Sequence, residues 1–334
     1  MMNRPDLHEG SSPTRREFVA LGVGALVAAG LPAALQQGRR RLVRRTVPVM
    51  GTIADILVLH GDPRHAQAAV DAAMGELRAV DAAMTRFDTR SEVGQANLRA
   101  LHRAVPISAA TALVLQEALL WAEASDDAFD PCLGKALVLW DVGRRHTPPP
   151  SQSVRRLAGR RLYRALELAG EPGASTVRFH DPDLALDLGG IAKGYGVDRA
   201  VGALLARGIE NALVNVGGDL YALGTSEDGD PWKVGVRDPQ NPDGILTTIA
   251  ASDCAVATSG DYIQYFQYGG RRYHHMLDPW TGEPKLTASH SVTLTAPSCM
   301  QADAAGTAVF GLPSDRARRV VERRDPAIRI AYRA

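Results

Sequence analysis

At 334 residues, with 45% hydrophobic content and a formal net charge of +1, the chain can bury one large core or two modest ones, and it carries no charge excess suited to a nucleic-acid surface or an acidic tail. Aromatic residues make up only 5%, and the basic residues are dispersed apart from Arg39–Arg45 and a run near the C-terminus, which sets nucleic acid aside as a partner. Cys132, Cys254 and Cys299 form no C-x-x-C pair and lie far apart, so they offer neither zinc spacing nor a disulfide framework and read as small buried hydrophobes.

In chain order, the first feature is "SSPTRREFVALGVGALVAAGLPAAL", a Thr-Arg-Arg-x-Phe-Val sequence followed by a Gly- and Ala-rich apolar run from Val19 to Ala34. This is the layout of a twin-arginine export signal, assigned to residues 1–38 and expected to lie outside the fold, with the functional domain at 39–334. The destination it implies is the periplasm or the outer face of the plasma membrane. The run is short and broken by Gly22, Gly24 and Gly30, which favours a signal over a permanent span. No cysteine follows it to carry a lipid, and the lack of an ideal A-x-A site leaves an uncleaved anchor as the alternative to cleavage.

"PVMGTIADILVL" reads as a strand-like run ended by Gly61-Asp62-Pro63, and a helix from His65 to Met84 follows, with Ala69, Ala73, Leu77, Val80 and Met84 on its apolar face. The polar connection "RFDTRSEVGQAN" leads to a second helix from Ala109 to Ser125. Pro-rich "HTPPPSQ" at His146 to Gln152 is a surface loop and a candidate boundary between two lobes. Beyond it the pattern is mainly strands, "TVRFH", "LALDLGG", "NALVNVGGDLYALG", "WKVGV", "LTTIAASDCAVAT" and "SVTLTA", interrupted by a helix from Gly194 to Arg207. The class is α+β or mixed α/β, with no short-period repeat.

Four stretches carry chemistry. "LDLGGIAKGYGVDRA" places glycines where a strand hands over to a helix, so backbone can approach a ligand closely. The helix N-terminus and Lys193 then favour an anion such as a phosphate, although neither a P-loop nor a G-x-G-x-x-G fingerprint is present. In "CMQADAAGTAVFGL", Asp303 and Thr307 are four apart on a helix, a partial set of hard oxygen ligands for magnesium that waters, carbonyls and phosphate oxygens would complete. In "YHHMLDPWTGEP", adjacent His274 and His275 point to opposite faces of a strand, so at most one serves a site, and Asp278-Pro279 opens a turn. In "VNVGGDLYALG", Gly217-Gly218-Asp219 suggests a bulge or close backbone approach.

Taken together with "PVMGT", "MTRFDTRSEVGQAN", "AFDPCLG" and "ATSGDYIQYF", these stretches resemble, in order from about Val47 to Leu312, the motif series of the FAD:protein FMN transferase family, also called the ApbE family. The resemblance implies an α+β, ApbE-like fold with mixed, largely antiparallel sheets flanked by helices. It also implies a magnesium-dependent enzyme that splits FAD at its pyrophosphate, esterifies the FMN phosphate to a Thr or Ser hydroxyl of a target protein, and releases AMP. The target would be an exported or membrane-associated redox protein. By matching motif, Met50, Phe87, Ala128, Phe129, Asp130, Asp187 and Lys193 are expected at the flavin nucleotide. Phe87 stands where the family often has tyrosine, which keeps a stacking face and removes a hydroxyl. Asp303, Thr307 and the Gly190 carbonyl are expected at the magnesium ion, and His275 and Asp278 in proton handling or acceptor positioning. With water as acceptor the same site would be an FAD pyrophosphatase giving FMN and AMP. A non-catalytic exported flavin-binding protein would need the glycines and the lysine but no metal pair.

Overall fold

The computed structural model describes residues 25–27, 41–171, 173–241 and 243–334. The frame is a seven-stranded sheet in the order β15-β14-β11-β8-β7-β3-β2, built from β2 (Arg41–Val49), β3 (Thr52–His60), β7 (Ala212–Val216), β8 (Asp219–Leu223), β11 (Cys254–Gly260), β14 (Ser291–Ala296) and β15 (Arg329–Arg333). Every named strand pair among the described residues is antiparallel, and parallel pairing is confined to a lone bridge between Leu133 and Ala185.

The central strands are apolar on both sides because both faces are covered. Along β3, Ala54, Ile56 and Val58 face the main core, while Leu57 and Leu59 join a second cluster with Trp232, Val234 and Val256, as the two-residue period of a strand requires. The main core lies under α1 (Pro63–Met84), α6 (Ala192–Leu205) and α7 (Cys299–Val309); the second lies under β9 (Trp232–Arg237) and β10 (Ile245–Ala251). Residues from Val49 to Ile328 share the main core, so the Pro-rich loop before α5 (Ser151–Leu157) does not divide the chain into two lobes. Nor is any helix among the described residues long and apolar enough to cross a membrane.

Three local readings are corrected. The run "PVMGTIADILVL" is not one strand: β2 and β3 pair from Arg41↔His60 to Val49↔Thr52, which leaves Met50 and Gly51 as a two-residue turn with φ of 54° and 69°. Positive φ at both positions matches the twist of the flanking strands, and the Met50 N–H is tied to Asp81 Oδ2 of α1 at 3.0 Å. "LALDLGG" is not a strand either. Its backbone is held by Asn97, whose amide donates to Leu186 O at 3.0 Å and accepts from Leu186 N at 2.6 Å, and by Asp187 N to Pro131 O at 2.8 Å. A side chain from α2 (Glu92–Arg99) thus replaces a ladder partner. Lastly, Ala25–Val27, inside the segment read as an export signal and expected outside the fold, forms β1 and pairs with β9. The twin-arginine motif itself lies outside the described residues.

Helices α6 and α7 meet closely because position 194 has no side chain: a Cβ there would lie 2.2 Å from the Cys299 carbonyl oxygen. Asp198 locks the pair, accepting from Cys299 N at 2.7 Å and Met300 N at 2.9 Å, two N–H groups in the first turn of α7. Burial raises the Asp198 carboxyl to about 6 against these bonds. Gly194→Ala is therefore expected to destabilise the fold by about 3 kcal/mol, the upper range for overpacking against unyielding atoms. Urea unfolding checks it, and an unchanged midpoint would count against this packing.

Candidate active site

One cavity of about 480 Å³ gathers residues from most elements of the main layer. The β2–β3 turn brings Met50 and Thr52; the start of α6 brings Gly189, Gly190 and Lys193; β8 brings Asp219; α7 brings Asp303 and Thr307. Of the residues singled out in the sequence, Met50, Phe87, Ala128, Phe129, Asp130, Asp187, Gly190, Lys193, His275, Asp303 and Thr307 all line it. Asp278 does not. Its carboxylate accepts from Trp280 N at 2.9 Å and its carbonyl from Gly282 N at 2.8 Å, so it shapes the turn after β13 (Arg271–His274) instead of reaching the site.

The centre is a lysine between two buried carboxylates. Lys193 Nζ lies 2.8 Å from Asp219 Oδ2 and 3.3 Å from Asp303 Oδ1, and donates to Gly189 O at 3.1 Å. Asp303 also accepts from Gly194 N at 3.0 Å. Burial disfavours the Lys193 charge, but Asp219 and Asp303 outweigh it and hold the ammonium protonated above its ordinary range. Asp219 is raised to about 7, by burial first and by Asp303 second, with Lys193 opposing. In the sequence Asp219 stands out only through the glycines before it. The signal available was an acidic residue directly after a Gly-Gly turn, and its partner lies 26 residues earlier, beyond local pattern.

The oxygens around Asp303 suit a hard cation. A Cβ on Gly190 would lie 2.8 Å from Thr307 Oγ1, so the Gly190 backbone touches the hydroxyl, and Asp303 stands one turn before Thr307 on the same helix. Among the described residues no group of three or more His, Cys, Asp or Glu could hold a metal alone. A carboxylate and a hydroxyl, with the Gly190 backbone packed beside them, fit magnesium of the kind that draws its remaining ligands from carbonyls, water and phosphate.

Aromatic, basic and acidic side chains complete the lining. Phe87 is 82% exposed at the mouth, with the Arg86 guanidinium 4.2 Å from its ring centroid. Arg86 also pairs with Asp187, which in turn accepts from Gly189 N at 2.8 Å. Asp130 is raised to about 6 by burial, against hydrogen bonds from Cys132 N at 2.8 Å and Tyr163 N at 3.3 Å. The histidine pair diverges, with His275 one residue past the end of β13. His274 turns inward, with its Nε2 2.9 Å from Lys285 O and its Nδ1 accepting from Met276 N at 3.2 Å, while His275 reaches the cavity. Burial and the neighbouring His274 lower His275 to about 4. Its Nδ1 is 3.4 Å from Gln264 O; donation there leaves the Nε2 lone pair as proton acceptor. Thr52, Arg86, Thr258 and Ser259, which lie within the motif stretches but are not singled out there, also line the cavity, as does Lys285, which lies outside those stretches.

The family model described as the ApbE family matches residues 50–331. A protein of Treponema pallidum named "FAD:protein FMN transferase" is 33% identical over 312 residues, covering 87% of this chain and 84% of the relative. One of the same name from Vibrio cholerae is 32% identical over 280 residues, covering 82% and 83%. Among solved structures, the ApbE protein of Thermotoga maritima aligns with a TM-score of 0.74 at 31% identity, over 84% of this chain and 90% of that one. The flavin transferase ApbE of Vibrio cholerae also aligns at 0.74, with 29% identity over 88% and 97%.

Proposed function

The chain belongs to the ApbE family, and from that premise we propose that it is an FAD:protein FMN transferase: an enzyme that moves the FMN moiety of FAD onto a Thr or Ser hydroxyl of a target protein and releases AMP. The observation that carries this reading is one cavity that sets Asp303, Thr307 and the Gly190 backbone beside the Lys193–Asp219 pair, with Phe87 and His275 also lining it.

In this reading the acceptor oxygen forms a bond to the FMN phosphorus, the bond from that phosphorus to the AMP oxygen breaks, and the hydroxyl proton passes to a base. Asp303, Thr307 and the Gly190 carbonyl hold magnesium, which when bound neutralises phosphate charge. Lys193 holds Asp219 and Asp303 in place through its ion pairs with both. Phe87 offers its face to the flavin ring. His275 takes the proton at Nε2. The target is an exported or membrane-associated redox protein, and the twin-arginine motif supports transport of this enzyme to the periplasm or the outer face of the plasma membrane.

Because His275 is lowered to about 4, its neutral, proton-accepting form persists well below the ordinary histidine value and is lost only as pH falls through about 4. The acid limb of the turnover profile is expected there. A limb near pH 6.5, unchanged in His275→Ala, would remove His275 as the base.

The reading is tested by incubating the enzyme with FAD, magnesium and a candidate exported flavoprotein, and following AMP by chromatography. AMP release that requires the acceptor supports transfer; equal release without it would support hydrolysis to FMN and AMP.

A further inference from the structure

Three cations line the cavity, and two are committed. Arg86 pairs with Asp187 and stacks on Phe87; Lys193 lies between Asp219 and Asp303. The third, Lys285, has no carboxylate within 4 Å among the described residues, although it is only 9% exposed. Its position is built. Its N–H donates to Met276 O at 2.9 Å, its carbonyl lies 2.9 Å from His274 Nε2, and its carbon stem runs past Gly311, where a Cβ would come within 3.3 Å of it. The ammonium is delivered to the last turns of α7, donating to Thr307 O at 3.0 Å. An ammonium has three donors, and this one bond uses one of them at a lysine that faces the cavity.

The remaining lining charges make the consequence plain. Asp130, Asp187, Asp219 and Asp303 all face the same space, so a diphosphate entering it meets four carboxyl groups, and the cations that pair with Asp187, Asp219 and Asp303 are already engaged. A buried ammonium with no carboxylate in contact, on which the Asp278 charge acts only from a distance, is the group such an anion can recruit. We propose that Lys285 is a substrate-binding residue: its free donors receive a phosphate oxygen of the bound dinucleotide at the Thr307 end of the cavity. This rests on the FAD-using reading above and adds to it a residue from outside the recognised motifs.

The test measures equilibrium binding of FAD, AMP and riboflavin by calorimetry without turnover, in the wild-type chain and in Lys285→Gln, Lys285→Met and Lys285→Arg. Lys285→Gln keeps a donor for the Thr307 carbonyl, and melting curves confirm that each variant compared is folded. Loss of a charge-assisted bond is expected to weaken FAD and AMP about 10- to 100-fold in Lys285→Gln and Lys285→Met. Riboflavin, which has no phosphate, should bind as to wild type, and Lys285→Arg should stay within about threefold for all three. Wild-type affinity for FAD and AMP in the Gln variant would overturn the proposal, as would an equal loss for riboflavin, which marks a merely structural role. Failure of the wild-type chain to bind FAD would instead overturn the functional reading on which the proposal rests.

Discussion

Asp303→Asn is expected to lower the rate of AMP release by about 10³-fold, the effect of roughly 4 kcal/mol of lost transition-state stabilisation, while leaving the fold largely intact. The asparagine oxygen can still accept from Gly194 N, which now bonds Asp303 Oδ2 at 3.0 Å, and Lys193 keeps Asp219 at 2.8 Å. What disappears is the carboxylate that Thr307 and the Gly190 backbone accompany. The raised Asp219 should ionise more readily once Asp303 no longer faces it, because that charge is the second cause of its shift, after burial. The discriminating readout is the magnesium dependence of the rate beside the melting temperature. A variant that is stable, slow and indifferent to magnesium fits the account; wild-type turnover would remove Asp303 from the cation site.

Lys193→Met is expected to act mainly on stability, which alters the role that sequence alone suggested for it. Read from "GGIAKGYG", Lys193 is a point charge awaiting a diphosphate. In the structure its ammonium is engaged by Asp219 and Asp303. Removing it leaves two buried carboxylates without their counter-ion, a loss of about 3–5 kcal/mol, or roughly 6–10 °C in melting temperature for a domain of this size class. Thermal unfolding of the variant without FAD checks this. The linkage has a definite sign: a lysine whose folded value is raised contributes stability that is fully present below its unfolded value near 10.4 and lost only above it. The loss in Lys193→Met should therefore be undiminished between pH 7 and 9. A melting temperature equal to wild type, with weaker FAD binding, would restore the simpler role.

What could be read without coordinates was what is local. Apolar residues at 3.6-residue spacing gave α1, observed at Pro63–Met84, and α3, observed at Ala109–Ala124. Asp303 and Thr307 share a helix face as their spacing requires, and His274 and His275 diverge as expected, although the strand ends at His274. What could not be read depends on partners distant in sequence. "LALDLGG" has a strand's alternation, but Asn97, 89 residues away, supplies the bonds that a ladder would. Lys193 finds Asp303 110 residues away. Lys285 follows a turn motif with nothing in its neighbours to mark it, and only the docking of that turn on α7 carries it into the cavity. Asp278 errs the other way: a polar residue in a recognisable motif whose carboxylate is spent on its own turn.

Transfer of FMN to a protein hydroxyl in this cavity would leave a covalent mark on the acceptor. The most direct measurement is the intact mass of a candidate exported acceptor after incubation with the enzyme, FAD and magnesium, followed by peptide mapping of the modified segment. A mass gain equal to one FMN joined through phosphate, located on a Thr or Ser and absent with Asp303→Asn, is expected. A series of exported flavoproteins left at unaltered mass while FAD is converted to free FMN and AMP would contradict it.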